Sequence, residues 1–107
     1  MEYSKSEKFN LAGSIDYSNG ATVSKMIIKK QTGNITLFAF DAGQGLSEHS
    51  APFDAFVQVI DGRGQIIINN EEFDLETGQG IVMPANIPHA VKAIQRFKMM
   101  LVMIRGN

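Results

Sequence analysis

Residues 43–62 read GQGLSEHSAPFDAFVQVIDG, and this stretch decides the fold prediction for the whole chain. In its second half Ala55, Val57 and Val59 fall on one side of a strand, because successive side chains of a strand point to opposite faces. The closing Asp-Gly pair favours a change of chain direction. The stretch also contains His49, one of two histidines in the sequence. It therefore predicts a half-buried strand beside a titratable side chain.

The same pattern recurs along the chain after Asn19. Short segments rich in Val, Ile, Phe, Thr and Met are separated by turn-forming Gly, Asn and Asp residues, at a spacing of roughly ten residues. Asn69 and Asn70 suit a two-residue hairpin loop, since both tolerate a left-handed backbone. Eight such strands are typical of an all-β sandwich or barrel. The predicted segments are ATVSKMIIKK, NITLFAF, DAFVQVI, GQIIIN, EEFDL, GIVMP, HAVKAI and FKMMLVMI.

Length and composition fit one globular domain over residues 1–107. The chain is 44% hydrophobic and 20% charged, an ordinary mixture for a folded protein. Ten basic and eleven acidic residues give a net charge of -1. Because like charges are not gathered into a basic surface, nucleic acid is not an expected partner.

The sequence contains no cysteine, which excludes a disulfide framework, a thiolate metal site and a cysteine nucleophile. The first ten residues, MEYSKSEKFN, are polar, and no apolar run approaches the length of a membrane span. These features predict a cytoplasmic protein that does not use a membrane as a partner.

Two of the predicted strands, ITLFAF and MMLVMI, are apolar on both faces. In a small domain such strands indicate that the outer face of a sheet is covered, and association of two subunits is one way to cover it. We therefore expect a homodimer, with residues 1–20 forming an N-terminal arm at the interface. The alternative is that the arm alone covers this face.

The opening stretch resembles the first motif of the cupin superfamily. That motif is a glycine, five residues, His-x-His, three or four residues, a glutamate, six residues and a glycine. Here Gly43 is followed by QGLSE, then His49 and, two residues on, Ala51. PFD leads to Ala55, and six residues separate Ala55 from Gly62.

A second stretch is similar to the second cupin motif, which is a glycine, five residues, Pro-x-Gly, two residues, a histidine, three residues and an asparagine. Gly78 is followed by QGIVM, then Pro84 and Asn86, with His89 and Ala93 at the last two motif positions. Asn86 suits the glycine position because asparagine also tolerates a left-handed backbone.

The resemblance implies a double-stranded β-helix, that is, a jelly-roll barrel with its core in residues 35–104 and its ligand site inside. It also implies that His49 and His89 point inward. Alternation in HAVKAI agrees, since it places His89 on the apolar side with Val91, away from Lys92.

The resemblance further implies a metal site, but half of the family's ligands are replaced here. The second histidine, the glutamate and the asparagine correspond to Ala51, Ala55 and Ala93. Two imidazoles, His49 and His89, leave most of a metal's coordination to water or substrate. Three fates of this pair remain open: a weakly held divalent transition metal, a metal-free polar pocket, or a remnant packed in the core.

The leading hypothesis is a barrel that binds a small molecule, because alanines at ligand positions open space beside the histidines. The alternative is a metal-dependent enzyme of the oxygenase or isomerase type, with water or substrate completing the site. Whether the chain is an enzyme stays open. The pocket candidates are His49, His89, Phe38, Phe40, Asp54, Met83 and Met103.

Overall fold

The computed structural model describes residues 3–105, which form eight β strands and one short 3-10 helix, Ala12–Ser14. None of the described residues belongs to a helix long and apolar enough to span a bilayer. The strands are β1 Thr22–Lys30, β2 Gly33–Phe40, β3 Gly45–His49, β4 Phe53–Ile68, β5 Glu71–Glu76, β6 Gly80–Met83, β7 His89–Lys92 and β8 Phe97–Arg105.

The strands form two antiparallel sheets that share β4. The first sheet has the order β1-β2-β8-β4-β6 and the second the order β3-β7-β4-β5. Because one long strand runs through both sheets, they curl around a common interior instead of lying flat. The fold class expected from the sequence, an all-β jelly-roll barrel, is confirmed.

Strand β4 corrects one detail of the prediction. Residues 61–64 were expected to be a turn between two strands, but β4 continues through them for 16 residues. The register shifts between Val59 and Asp61, and Gly62 has a φ of 78°. Such a bulge bends a strand without ending it. The glycines therefore form a corner, where β4 leaves the first sheet and enters the second.

Strand β3 is the second departure from the prediction. Residues 45–49, GLSEH, were not expected to form a strand, because the segment is short and only Leu46 is a large apolar residue. Its pairing with β7 supplies the hydrogen bonds that its own sequence does not signal. The predicted number of strands equals the observed eight because the prediction missed β3 and divided β4 into two strands.

The loops behave as predicted at three asparagines. Asn69 and Asn70 join β4 to β5 with φ values of 50° and 67°, the left-handed pair that a two-residue hairpin requires. Asn86 has a φ of 65°, and its backbone N–H donates a hydrogen bond of 2.8 Å to the backbone carbonyl of Ala51. This bond fixes the loop before β7 against the loop before β4.

The barrel interior holds the main core. Ala55, Val57 and Val59 are at most 4% exposed, as the alternation of β4 predicted. The rings of Phe40 and Phe97 stack with centroids 4.9 Å apart, and neither is exposed. These apolar side chains exclude water from the barrel and stabilise it.

The N-terminal arm covers part of the outer face of the first sheet. Ile15 is buried against Leu37 and Ala39 of β2. Tyr17 fixes the arm further, since its hydroxyl donates a 2.5 Å hydrogen bond to Asp61. The arm therefore provides some of the coverage that the two-sided apolar strands require. Residues 1 and 2 of the predicted arm lie outside the described residues.

Candidate functional site

The two histidines meet at one end of the barrel. His49 ends β3 and His89 begins β7, and the two are direct partners in the antiparallel register. Their ring centroids are 4.4 Å apart in an edge-to-face arrangement with an interplanar angle of 66°. His49 is exposed, whereas His89 is only 9% exposed. The pair therefore connects solvent to the barrel interior.

A bulge in β3 brings His49 to this position. Leu46 pairs with Val91 and His49 pairs with His89, so three steps along β3 match two along β7. Without the extra residue, alternation would place Leu46 and His49 on opposite faces. With it, both side chains line the same cavity.

Backbone carbonyls set the proton positions of both rings. Nδ1 of His49 lies 2.7 Å from the carbonyl oxygen of Ser47, and Nδ1 of His89 lies 3.2 Å from that of Ile87. A carbonyl oxygen only accepts, so each Nδ1 carries the hydrogen. In the neutral rings the Nε2 atoms are therefore the unprotonated nitrogens, which can accept a hydrogen bond or bind a metal.

Burial also sets the charge of His89. Its pKa is lowered from the usual 6.5, chiefly because removal from water disfavours the charged ring. The carbonyl of Ile87 acts in the opposite direction, and the neighbouring His49 lowers the pKa further. At neutral pH His89 is thus an uncharged acceptor.

The cavity beside the histidines is small and largely apolar. Its volume is about 30 Å³, enough for about two water molecules. Two polar rings on an otherwise apolar wall are the arrangement of a binding site that orients its occupant. The lining residues are Leu46, His49, Ala51, Phe53, Ala55, Met83, His89, Val91, Met99, Leu101 and Met103.

Four of the seven pocket candidates from the sequence, His49, His89, Met83 and Met103, come together in this lining. Three others lie elsewhere. Phe38 and Phe40 stack on each other at 5.6 Å in the core, with Phe40 against Phe97. Asp54 faces the outside of β4, where its carboxylate accepts a 2.9 Å hydrogen bond from the amide of Ala85. It therefore fixes a loop and does not line the cavity.

Leu46, Val91 and Leu101 also line the cavity and were not singled out for it from the sequence. Leu101 shares a face with the predicted Met103, so alternation along β8 was a signal that could have found it. Phe53 precedes the strand that the sequence predicted, and only its place in β4 directs it to the cavity.

The donor set does not fit a metal held by the protein alone. Among residues 3–105 no group of three or more His, Cys, Asp or Glu side chains is placed to hold a metal ion. Ala51 and Ala55, at the family's ligand positions, line the cavity with methyl groups. Two imidazoles provide fewer ligands than stable sites for first-row metals normally have.

Comparison with known families and structures gives consistent results. The family model of the cupin domain matches residues 36–105. A conserved protein of unknown function from Streptococcus pyogenes is 33% identical over 98% of this chain and 92% of its own, with a TM-score of 0.92. A cupin 2 conserved barrel domain protein from Leptotrichia buccalis is 40% identical over 91% of this chain and 47% of its own, with a TM-score of 0.88.

One curated protein also matches part of the chain. The polyketide synthase CurC of Streptomyces cyaneus is 30% identical over 64 residues, which are 59% of this chain and 42% of that protein. The chain thus matches less than half the length of this curated relative.

Proposed function

The chain belongs to the cupin family, and from this premise we propose that it binds a small molecule in the barrel, at the cavity lined by His49 and His89. The observation that carries the proposal is the pair itself. Two imidazoles converge on one apolar cavity, and each has its Nδ1 hydrogen committed to a backbone carbonyl. Polar groups that converge on an apolar cavity are the feature by which a binding site orients its ligand.

The chemistry of the lining suggests the class of ligand. At neutral pH the free Nε2 of His89 accepts hydrogen bonds, because the pKa of this ring is lowered. The wall around it contains three adaptable methionines, Met83, Met99 and Met103. We therefore propose a small, mainly apolar molecule with one hydroxyl or amine group. Its apolar body displaces the methionine side chains, and its polar group donates to the histidines.

The partial likeness to the polyketide synthase CurC supports this class. Polyketides and their fragments combine apolar bodies with hydroxyl groups. Activity toward such a compound is a separate matter, and no catalytic turnover is proposed. The proposed setting is the cytoplasm.

Phenol and toluene provide a direct test, since phenol has a hydroxyl group where toluene has a methyl group. A titration monitored by the NMR chemical shifts of the backbone amides would give the affinity and the binding site of each compound. We expect phenol to bind at least about tenfold more tightly than toluene, in line with one hydrogen bond to a partly buried acceptor. The shifts should concentrate on β3, β7 and the end of β8.

Two variants complete the test. In the His49→Ala/His89→Ala double variant the preference for phenol should disappear, even if both probes still enter the enlarged cavity. Ala51→Val should weaken the binding of both probes, because the larger side chain fills part of the cavity. If the double variant keeps the preference, or if the shifts lie elsewhere on the molecule, the histidines do not anchor a ligand.

A metal-assisted enzyme is the second candidate function, and the free Nε2 atoms of both histidines favour it. Two protein ligands make such a site weak, so no reaction step is derived through a metal. The test is metal content by mass spectrometry, on untagged protein purified without chelator and on the His49→Ala/His89→Ala variant. Near-stoichiometric metal in the parent alone would make this candidate the better one. Metal-free parent protein, even after incubation with Zn²⁺ or Fe²⁺, would rule it out.

A further inference from the structure

A second cleft lies on the outside of the barrel, at the corner where β4 passes from the first sheet into the second. Its volume is about 160 Å³, enough for roughly ten water molecules. Its lining shares no residue with that of the cavity beside the histidines. The lining residues are Arg63, Gly64, Gln65, Asp74, Ile94 and Gln95.

Alternation along β4 directs the polar side chains to this cleft. Ile66 belongs to the barrel core, so Arg63 and Gln65 point to the opposite, outer face of the strand. Their register partners on β5 are Glu76 and Asp74, whose side chains share that outer face. Residues of both charge signs therefore lie side by side at the corner.

The loop between β7 and β8 forms the other wall of the cleft. Ala93 and Arg96 are both bound to the loop between β2 and β3, the first by a backbone hydrogen bond and the second by an ion pair. Ile94 and Gln95 lie between these two fixed points, and Ile94 is 69% exposed. An apolar side chain thus flanks the polar groups of β4 and β5.

Gln65 is the buried polar group of the cleft. Only 9% of it is exposed, and its Nε2 donates a 3.3 Å hydrogen bond to a carboxylate oxygen of Asp74. Its amide oxygen accepts no hydrogen bond from residues 3–105, yet this oxygen is not sealed from solvent. Since Gln65 lines the cleft, the oxygen can accept a hydrogen bond from an occupant.

The cleft also contains two opposite charges that do not neutralise each other. Nη2 of Arg63 donates a 2.7 Å hydrogen bond to Oε1 of Glu76, which lies outside the lining and holds the guanidinium from its far side. A guanidinium has five N–H donors, so others remain for an occupant. Asp74 forms no ion pair with any residue that the structure describes. An occupant can therefore meet a cation and a carboxylate at once.

We infer that this cleft binds a small α-amino acid. Its carboxylate binds Arg63, its ammonium group lies between Asp74 and the amide oxygen of Gln65, and its side chain contacts Ile94. Arg63 and Asp74 are diagonal neighbours across β4 and β5, about 7–8 Å apart.

The dimensions of an α-amino acid suit this separation. Its ammonium nitrogen and carboxylate carbon are about 2.5 Å apart. Charge-assisted hydrogen bonds of about 2.8 Å on either side extend the span to roughly 8 Å. A phosphate or another dianion suits the cleft less well, because the carboxylates of Asp74 and Glu76 would repel it.

Leucine is the probe, compared with two molecules of the same carbon skeleton. Isopentylamine lacks the carboxylate, and isocaproate lacks the ammonium group. In a titration monitored by the NMR chemical shifts of the backbone amides, leucine should bind at least about tenfold more tightly than either, because each loses one charge-assisted contact. The shifts should concentrate on residues 63–65, 73–76 and 94–95.

Charge-neutral variants test each contact. Arg63→Gln should weaken leucine binding to about the level of isopentylamine, and Asp74→Asn to about the level of isocaproate. The matched controls are Lys92→Gln and Glu72→Gln, which remove the same charges from exposed residues of the same outer face, outside the lining. They should change the affinity by less than about twofold. Thermal unfolding of each variant checks that it is folded.

The His49→Ala/His89→Ala variant separates this site from the proposed ligand site in the barrel. It should bind leucine as the parent does, because neither histidine lines the cleft. Loss of leucine binding in this variant would place leucine in the barrel and overturn the inference.

Three further results would overturn it. The absence of shifts around the cleft at about 50 mM leucine would mean that no amino acid binds there. Isopentylamine or isocaproate that binds as tightly as leucine would exclude recognition of both charges. Control variants that weaken binding as much as Arg63→Gln and Asp74→Asn would show an effect of net charge alone.

Discussion

His49 and His89 face each other across β3 and β7 with ring centroids 4.4 Å apart, one ring exposed and the other nearly buried. The difference in burial gives two chemically identical side chains different properties. Water reaches His49, whereas removal from water lowers the pKa of His89. The relationship therefore links stability and binding at this site to pH.

We expect the chain to lose stability as the pH falls below about 6.5. The pKa of His89 is lower in the folded chain than its usual 6.5, so between the two values the unfolded chain binds more protons. The contribution of His89 is therefore complete above pH 6.5 and is lost as the pH falls toward the folded pKa. Urea unfolding midpoints at about pH 7.5 and 5.5 would measure this loss.

Two glutamine variants assign the effect to one ring. His89→Gln should reduce the difference in urea unfolding midpoint between the two pH values, because it leaves no titrating group at the buried position. His49→Gln should keep most of the difference, since burial is the largest cause of the lowered pKa. A His89→Gln profile as steep as that of the parent would contradict the assignment.

Restoring the family's ligands should create a metal site. Ala51 and Ala55 line the same cavity as the two histidines, so Ala51→His with Ala55→Glu would place four donors around one space. We expect affinity for Zn²⁺ to increase at least about a hundredfold, as the ligands rise from two to four. Isothermal titration with Zn²⁺ would measure this. The same pair of substitutions with His89→Ala should bind more weakly, and equal binding would place the metal elsewhere.

Gly64→Ala should destabilise the barrel. A Cβ at this position would lie only 2.5 Å from Cζ of Phe97, whose ring is fully buried and stacked on Phe40. Overpacking of this kind costs about 1–3 kcal/mol. Gly13→Ala is the control, because its nearest neighbour would be the Cβ of Asn10 at an ordinary 3.5 Å. Equal unfolding free energies for the two variants would show that the Phe97 ring moves aside.

Tyr17→Phe should loosen the N-terminal arm. The substitution keeps the ring near Lys98 and Arg96 but removes the hydroxyl that binds Asp61. The loss should be about 0.5–1 kcal/mol, because the bond is exposed. Urea unfolding would measure it, and hydrogen exchange should increase in the arm. In a double-mutant cycle with Asp61→Asn the two losses should not add, and additive losses would show that the bond contributes nothing.

Local pattern predicted much of the fold, and its errors have a common cause. Alternation correctly buried Ala55, Val57 and Val59, and left-handed propensity located the Asn69-Asn70 hairpin. The glycine-rich segment at residues 61–64 has the composition of a turn, yet pairing with strands from both sheets continues β4 through it. Composition reports what a backbone tolerates, whereas pairing decides whether a strand ends.

The sequence by itself determined the all-β class, the faces of the main strands and the two histidines of the site, because these follow from residue type and a period of two. Only the tertiary structure decided which side chains meet. The bulge in β3 turns His49 toward His89, and the outward face of β4 removes Asp54 from the cavity. Register between distant strands sets these positions, and it depends on the packing of the whole barrel rather than on any local stretch.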